Sequence, residues 1–191
     1  MSLLSFAQWV QATDLFTAIR MSWYVYPSIM ALHLIGIAMF GGMILMSNLR
    51  LLGVALRNQP VSDVIRQLRV PKRIGFVMVA ACGILLAGSK AEEYYYNPFF
   101  WTKMSLLALI AIHGVIFRGS VYRKVGEFDG LKKIPGRGKL AAGLSLLLWT
   151  GVACAGRGIG YIDPPLDKLH AENRAVIGLG SVFGSRGLGR R

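Results

Sequence analysis

Two histidines stand inside long apolar runs: His33 within residues 23–49 (WYVYPSIMALHLIGIAMFGGMILMSNL) and His113 within a second run starting near Phe99. An ionisable side chain at membrane depth is costly, so each needs a partner or a task. Two imidazoles facing each other across a helical core can supply both axial ligands of a haem iron. His33 and His113 are therefore candidate ligands of a single b-type haem. A packing role, with each ring hydrogen-bonded to a neighbouring helix, accounts for the same residues. A proton relay or ion path is a third reading.

The surroundings of the two rings differ. Gly36 lies three residues after His33 on the same helical face and offers clearance for a flat macrocycle. The same-face neighbours of His113 are Leu109, Ile110, Ile116 and Phe117, all bulky. Haem propionates need cationic or hydrogen-bonding partners at the membrane boundary, and Lys90, Arg157 and Arg20 stand at span ends. Ordinary snorkelling explains those three cations equally well. Depth gives two answers. From Trp23 and Trp101 the histidines are ten and twelve residues in, an offset of ~3 Å. From Arg50 and Arg118 they are seventeen and five residues in, an offset of ~18 Å. The aromatic anchors favour a shared haem and the arginines oppose it.

The elements that must carry these residues follow from composition. The 191-residue chain is 54% hydrophobic and 16% charged, with a mean hydropathy of +0.49. That is membrane-protein composition, and about 20 apolar residues suffice to cross a bilayer. Four spans are expected, at about residues 23–49, 74–96, 99–120 and 139–156, forming an all-α up-down four-helix bundle over residues 23–156. Residues 1–22 read as an amphipathic helix, either on the membrane surface or docked on the rest of the bundle, because Leu3, Leu4, Ala7, Val10, Leu15, Phe16 and Ile19 recur at roughly helical spacing. Residues 157–191 read as an extended polar tail containing Gly and Arg, placed across partner subunits.

Charge sets the expected topology. Thirteen Lys and Arg fall in the first and third connections, two in the middle one and one in the N-terminal segment. The positive-inside rule places both basic connections in the cytoplasm and both termini outside, in a bacterial inner membrane. Most of the net charge of +13 lies in these basic loops; the tail from Arg157 onward carries six more Lys and Arg, which argue weakly for the opposite topology, and nucleic acid is not an expected partner. Cys82 and Cys154 lie in separate apolar runs without C-x-x-C or C-x-x-C-H spacing, which excludes a c-type haem attachment signal. The spans hold no nucleophile–base pair, phosphate loop or carboxylate dyad, so the chain is not expected to be an enzyme by itself.

The pattern Trp23-x3-Pro27-x5-His33-x2-Gly36, followed by Asn48-Leu-Arg-Leu-Leu-Gly53, resembles a group of small bacterial inner-membrane proteins without assigned function. The resemblance covers roughly residues 20–155; those proteins usually carry an acidic residue where this chain has Asn48. More loosely, paired histidines on four helices are similar to cytochrome b561-like and CopD-like membrane proteins, which implies haem b and transmembrane electron transfer. Two functions are thus expected. One is a haem b subunit of a respiratory or photosynthetic complex, with lipid or quinone as further ligands. The other is a haem-free structural or assembly subunit, joined to other membrane subunits through its tail and N-terminal helix. A small transporter is a third reading, with few intramembrane charges to serve it.

Overall fold

The computed structural model describes residues 2–117, 121, 123–129, 134–162 and 164–165. Among these residues the regular secondary structure is all helical: α1 (Leu3–Gln11), α2 (Asp14–Met21), α3 (Val25–Leu52), α4 (Val61–Gln67), α5 (Arg69–Ser89), α6 (Ala91–Tyr95), α7 (Pro98–Phe117) and α8 (Gly136–Ile159), with a 3-10 turn at Val125–Phe128. The helices α3, α5, α7 and α8 are each long and apolar enough to cross a membrane. The chain is a multi-pass helical membrane protein, as its composition implies.

Span boundaries move where local chemistry overrides hydropathy. The second span starts at Arg69 rather than 74, because Pro71 sits in the first turn, where a missing N–H breaks no bond. It ends at Ser89, and residues 91–95 form the separate α6. The fourth span runs three residues further at each end than the expected 139–156 and takes Arg157 into its last turn. The N-terminal segment is two helices, not one, broken at Ala12 and Thr13. Of the expected tail, Gly158 and Ile159 complete α8, and residues 166–191 lie outside the described residues.

Two capping devices fix the ends. Gly53 takes a left-handed conformation (φ 76°), and the N–H groups of Gly53 and Val54 bond back to Arg50 and Leu49. Only glycine adopts that conformation without a Cβ penalty, which is why α3 stops there. Asn97 caps α7: its Oδ1 accepts from the N–H groups of Phe99 (3.0 Å) and Phe100 (3.3 Å). Its Nδ2 donates to the carbonyls of Ile159 (3.1 Å) and Ile162 (3.0 Å), tying the start of α7 to the end of α8.

The spans do not close into a square. The interhelical seams run α5–α3, α3–α8 and α8–α7, and α7 has no substantial seam with α3 or α5. Glycines set the α3–α5 seam. A Cβ on Gly36 would stand 2.9 Å from Val79 Cγ2, and one on Gly75 would stand 3.0 Å from the backbone N of Phe40. The α3–α8 seam has Phe40 edge-on to Trp149 (5.2 Å between centroids) and Asn48 Nδ2 donating to Ser145 Oγ at 3.0 Å. At the end of the bundle where α3 terminates, Leu51, Val61, Val121, Phe128, Ala141 and Ala142 form the main buried cluster.

Candidate functional site

Each histidine is buried, and each belongs to a different seam. His33 is 8% exposed and its ring lies on α5, where Cε1 would be 3.2 Å from a Cβ at Gly83. The ring hydrogen-bonds the Val79 backbone, and His33 Nδ1 has no hydrogen-bond partner among the described residues. His113 is 6% exposed and turns to α8, with Nε2 3.0 Å from the carbonyl oxygen of Ala141. A carbonyl only accepts, so Nε2 carries the proton and donates. The ring also lies 4.8 Å from that of Phe117, centroid to centroid.

The seams also fix the relative heights of the rings. His33 is seven residues from Phe40, and Gly156 is seven residues from Trp149 in the opposite sense, so His33 is level with Gly156. His113 is level with Ala141. Fifteen residues of α8 separate those two levels, or ~22 Å along the helix. Axial imidazole nitrogens on one iron stand only ~4 Å apart.

A haem held by both histidines does not fit this arrangement. The rings are at different heights on helices that share no seam, and His113 Nε2 is taken by Ala141, which leaves only Nδ1 with a lone pair. Gly36 gives no room for a macrocycle either, because Val79 and Met78 of α5 occupy the space it leaves. The proposed propionate partners are engaged elsewhere. Lys90 Nζ pairs with Glu93 Oε2 at 2.9 Å and lies 5.9 Å from the centre of the Tyr26 ring. Arg157 lies over Tyr161, 5.3 Å from its ring centre. Arg20 donates to the backbone carbonyls of Ser89 (3.2 Å) and Gln11 (3.4 Å). Among the described residues no three His, Cys, Asp or Glu side chains gather around one point.

Arg20 belongs to a polar cap that docks α1 and α2 on the α5–α6 corner. Gln8 Nε2 donates to the buried Glu92 carboxylate at 2.7 Å, and the Glu92 N–H donates to Gln11 Oε1 at 2.9 Å. Phe16 lies directly on Gly88, where any larger residue would collide with the ring. Burial and the neighbouring Tyr26 hydroxyl hold the Tyr94 phenol well above the ordinary tyrosine range, so it stays a neutral hydrogen-bonding group. The face of α1 turned away from this cap carries Leu3, Phe6 and Trp9, all exposed. The polar side of the N-terminal segment is thus spent on the bundle.

Sequence reading missed three polar residues that organise the site. Asn97 precedes a proline, the signature of a capped helix start. Asn48 was visible as a polar residue in an apolar run, but its partner Ser145 is 97 residues away and could not be read from spacing. Lys103, half-buried in α7, lies against Gly156 with Nζ 3.9 Å from the position of a Cβ there.

Residues 6–162 match a family described as of unknown function (DUF6644), and the chain belongs to that family. No curated protein and no solved structure matches the chain.

Proposed function

We propose, from the premise of membership in a family without assigned activity, that the chain is a haem-free bracing or assembly subunit of a larger membrane-protein complex. The observation that supports this reading is where the polar groups of the spans go. Asn48 joins α3 to α8, His113 joins α7 to α8, and His33 is seated on α5. Intramembrane polar groups used this way hold helices together. The outward surface, in contrast, is apolar and unused: His113 is the only buried residue of α7. A helix attached along one side offers its remaining faces to lipid or to other subunits.

The membrane is a bacterial inner membrane, with both termini on the outer side and the basic α3–α5 and α7–α8 connections on the cytoplasmic side. In that orientation Leu3, Phe6 and Trp9 of α1 lie in the outer lipid–water boundary, where an apolar stripe beside a polar face is stable. Extraction from native membranes in mild detergent, followed by blue-native electrophoresis, tests the reading. A discrete particle containing this 20.9 kDa chain and a stoichiometric partner is the expected result. A chain that runs alone, after crosslinking in intact membranes as well, contradicts it.

A further inference from the structure

Two polar groups at one level of the bundle have no protein partner among the described residues. The first is His33 Nδ1, buried and without a hydrogen bond among the described residues. The second is the Lys103 ammonium, which forms no ion pair or hydrogen bond among the described residues. The register derived from Phe40 and Trp149 places His33 level with Gly156, and Lys103 rests against Gly156. The Lys103 charge is close enough to act electrostatically on His33. Along α8, Gly156 and Gly151 face Lys103 and Leu106 of α7.

The charge balance at this level is one-sided. The four spans contain no Asp or Glu at all. A cation held in an apolar layer without a counter-charge is strongly disfavoured, and an orphaned buried ring nitrogen adds its own desolvation cost. An anion with oxygen acceptors removes both costs: Lys103 supplies charge, and the His33 ring, whose other nitrogen donates to the Val79 carbonyl, donates from Nδ1 as the imidazolium that a bound anion stabilises. The exposed apolar residues Leu32 and Ile84, which flank His33 and Gly83 in sequence, give a tail a surface to lie on. We propose that His33 and Lys103 form a binding site for the oxyanion head of an amphiphile, a carboxylate or phosphate ester whose tail remains in the bilayer. The site is independent of whether the chain braces a larger assembly.

The test is native mass spectrometry of the purified full-length chain, delipidated and then offered one probe at a time: oleate, phosphatidylglycerol or zwitterionic phosphatidylcholine. Wild type should retain one molecule of oleate or of phosphatidylglycerol more strongly than phosphatidylcholine. Preference for oleate identifies a free carboxylate as the source, and preference for phosphatidylglycerol identifies a phospholipid. Lys103→Met should weaken retention of the preferred probe by about tenfold, the loss of one hydrogen bond to a charged group. His33→Gln, which keeps a donor, should weaken it less than His33→Leu. Lys90→Met serves as control, because Lys90 already has Glu93 as partner, and should leave retention unchanged. If a histidine variant does not fold, the Lys103→Met comparison still decides. Equal retention by wild type and Lys103→Met, or no preference for either anion over phosphatidylcholine, overturns the proposal.

Discussion

Substituting Gly36 and Gly75 by alanine tests whether the α3–α5 seam is set by backbone proximity. Each glycine faces a residue one turn from the other: Gly36 lies under Val79, and Gly75 lies under Phe40. At Gly36 a new Cβ would stand 2.9 Å from Val79 Cγ2, 3.2 Å from Met78 Cε and 3.3 Å from the Val79 backbone N. At Gly75 it would stand 3.0 Å from the Phe40 backbone N and 3.1 Å from Phe40 Cβ. Met78 can move aside, but backbone atoms cannot without separating the helices by several tenths of an ångström. Overpacking of that kind costs about 1–3 kcal/mol, or about 5- to 150-fold in the folding equilibrium. Gly75→Ala should be the worse of the two, because its nearest atom is backbone.

Both substitutions spread the same pair of helices, so the double variant should cost less than the sum of the singles. Gly41 and Gly42 lie on the same helix with nothing within 4 Å of a new Cβ, and their alanine variants are the controls. Reversible unfolding in mixed micelles, followed by far-UV circular dichroism, measures all five proteins against wild type. Should Gly36→Ala and Gly75→Ala unfold no more easily than Gly41→Ala, the close approach of α3 and α5 is refuted, and the placement of His33 with it.

Three further outcomes follow from named contacts. A double-mutant cycle on Asn48→Ala and Ser145→Ala should show coupling of about 0.6 kcal/mol, with ~1.7 kcal/mol as an upper bound for such bonds; zero coupling means the 3.0 Å bond does not form. Hydrogen bonds from Ser62, through its hydroxyl and its backbone N–H, hold the Asp129 carboxyl below its ordinary value of 3.8. The resulting stabilisation of α4 is present above that pH and is lost as pH falls below it, through the lower folded-state value. Protection of α4 amides from hydrogen exchange should therefore fall a few-fold only under acid conditions, and Asp129→Ala should show the reduced protection at pH 7. Single cysteines placed at Ser2 and at Gln59, with Cys82 and Cys154 replaced by alanine, report orientation. In intact spheroplasts a membrane-impermeant maleimide should label position 2 and spare position 59, and the reverse pattern inverts the topology.

Much of the scaffold was legible because a bilayer imposes a long apolar period that needs no partner to be recognised. The start of α3 shows this, since Pro27 fits its first turn; its end, expected at residue 49, runs on to Leu52, where Gly53 stops it. Depth was the misleading quantity. Trp23 precedes α3 and is 89% exposed, whereas Trp101 lies within the first turn of α7 and donates Nε1–H to the Tyr95 carbonyl. Two tryptophans in such different settings do not mark one plane, and the arginine anchors came closer to the ~22 Å offset derived from helical rise. Partner choice was not legible either. Gly36 announces a close approach, but whether it admits a macrocycle or Val79 depends on which helix arrives. His113 likewise finds its partner in a backbone carbonyl, and backbone carries no sequence signal.

His33 and His113 serve two different helix seams, an arrangement that leaves no place for one cofactor between them. A reduced-minus-oxidised visible spectrum of the protein, purified from haem-replete membranes beside His33→Ala and His113→Ala, tests it most directly. No b-type α-band is expected in any of the three. A band present in the wild type and lost in both variants would contradict it.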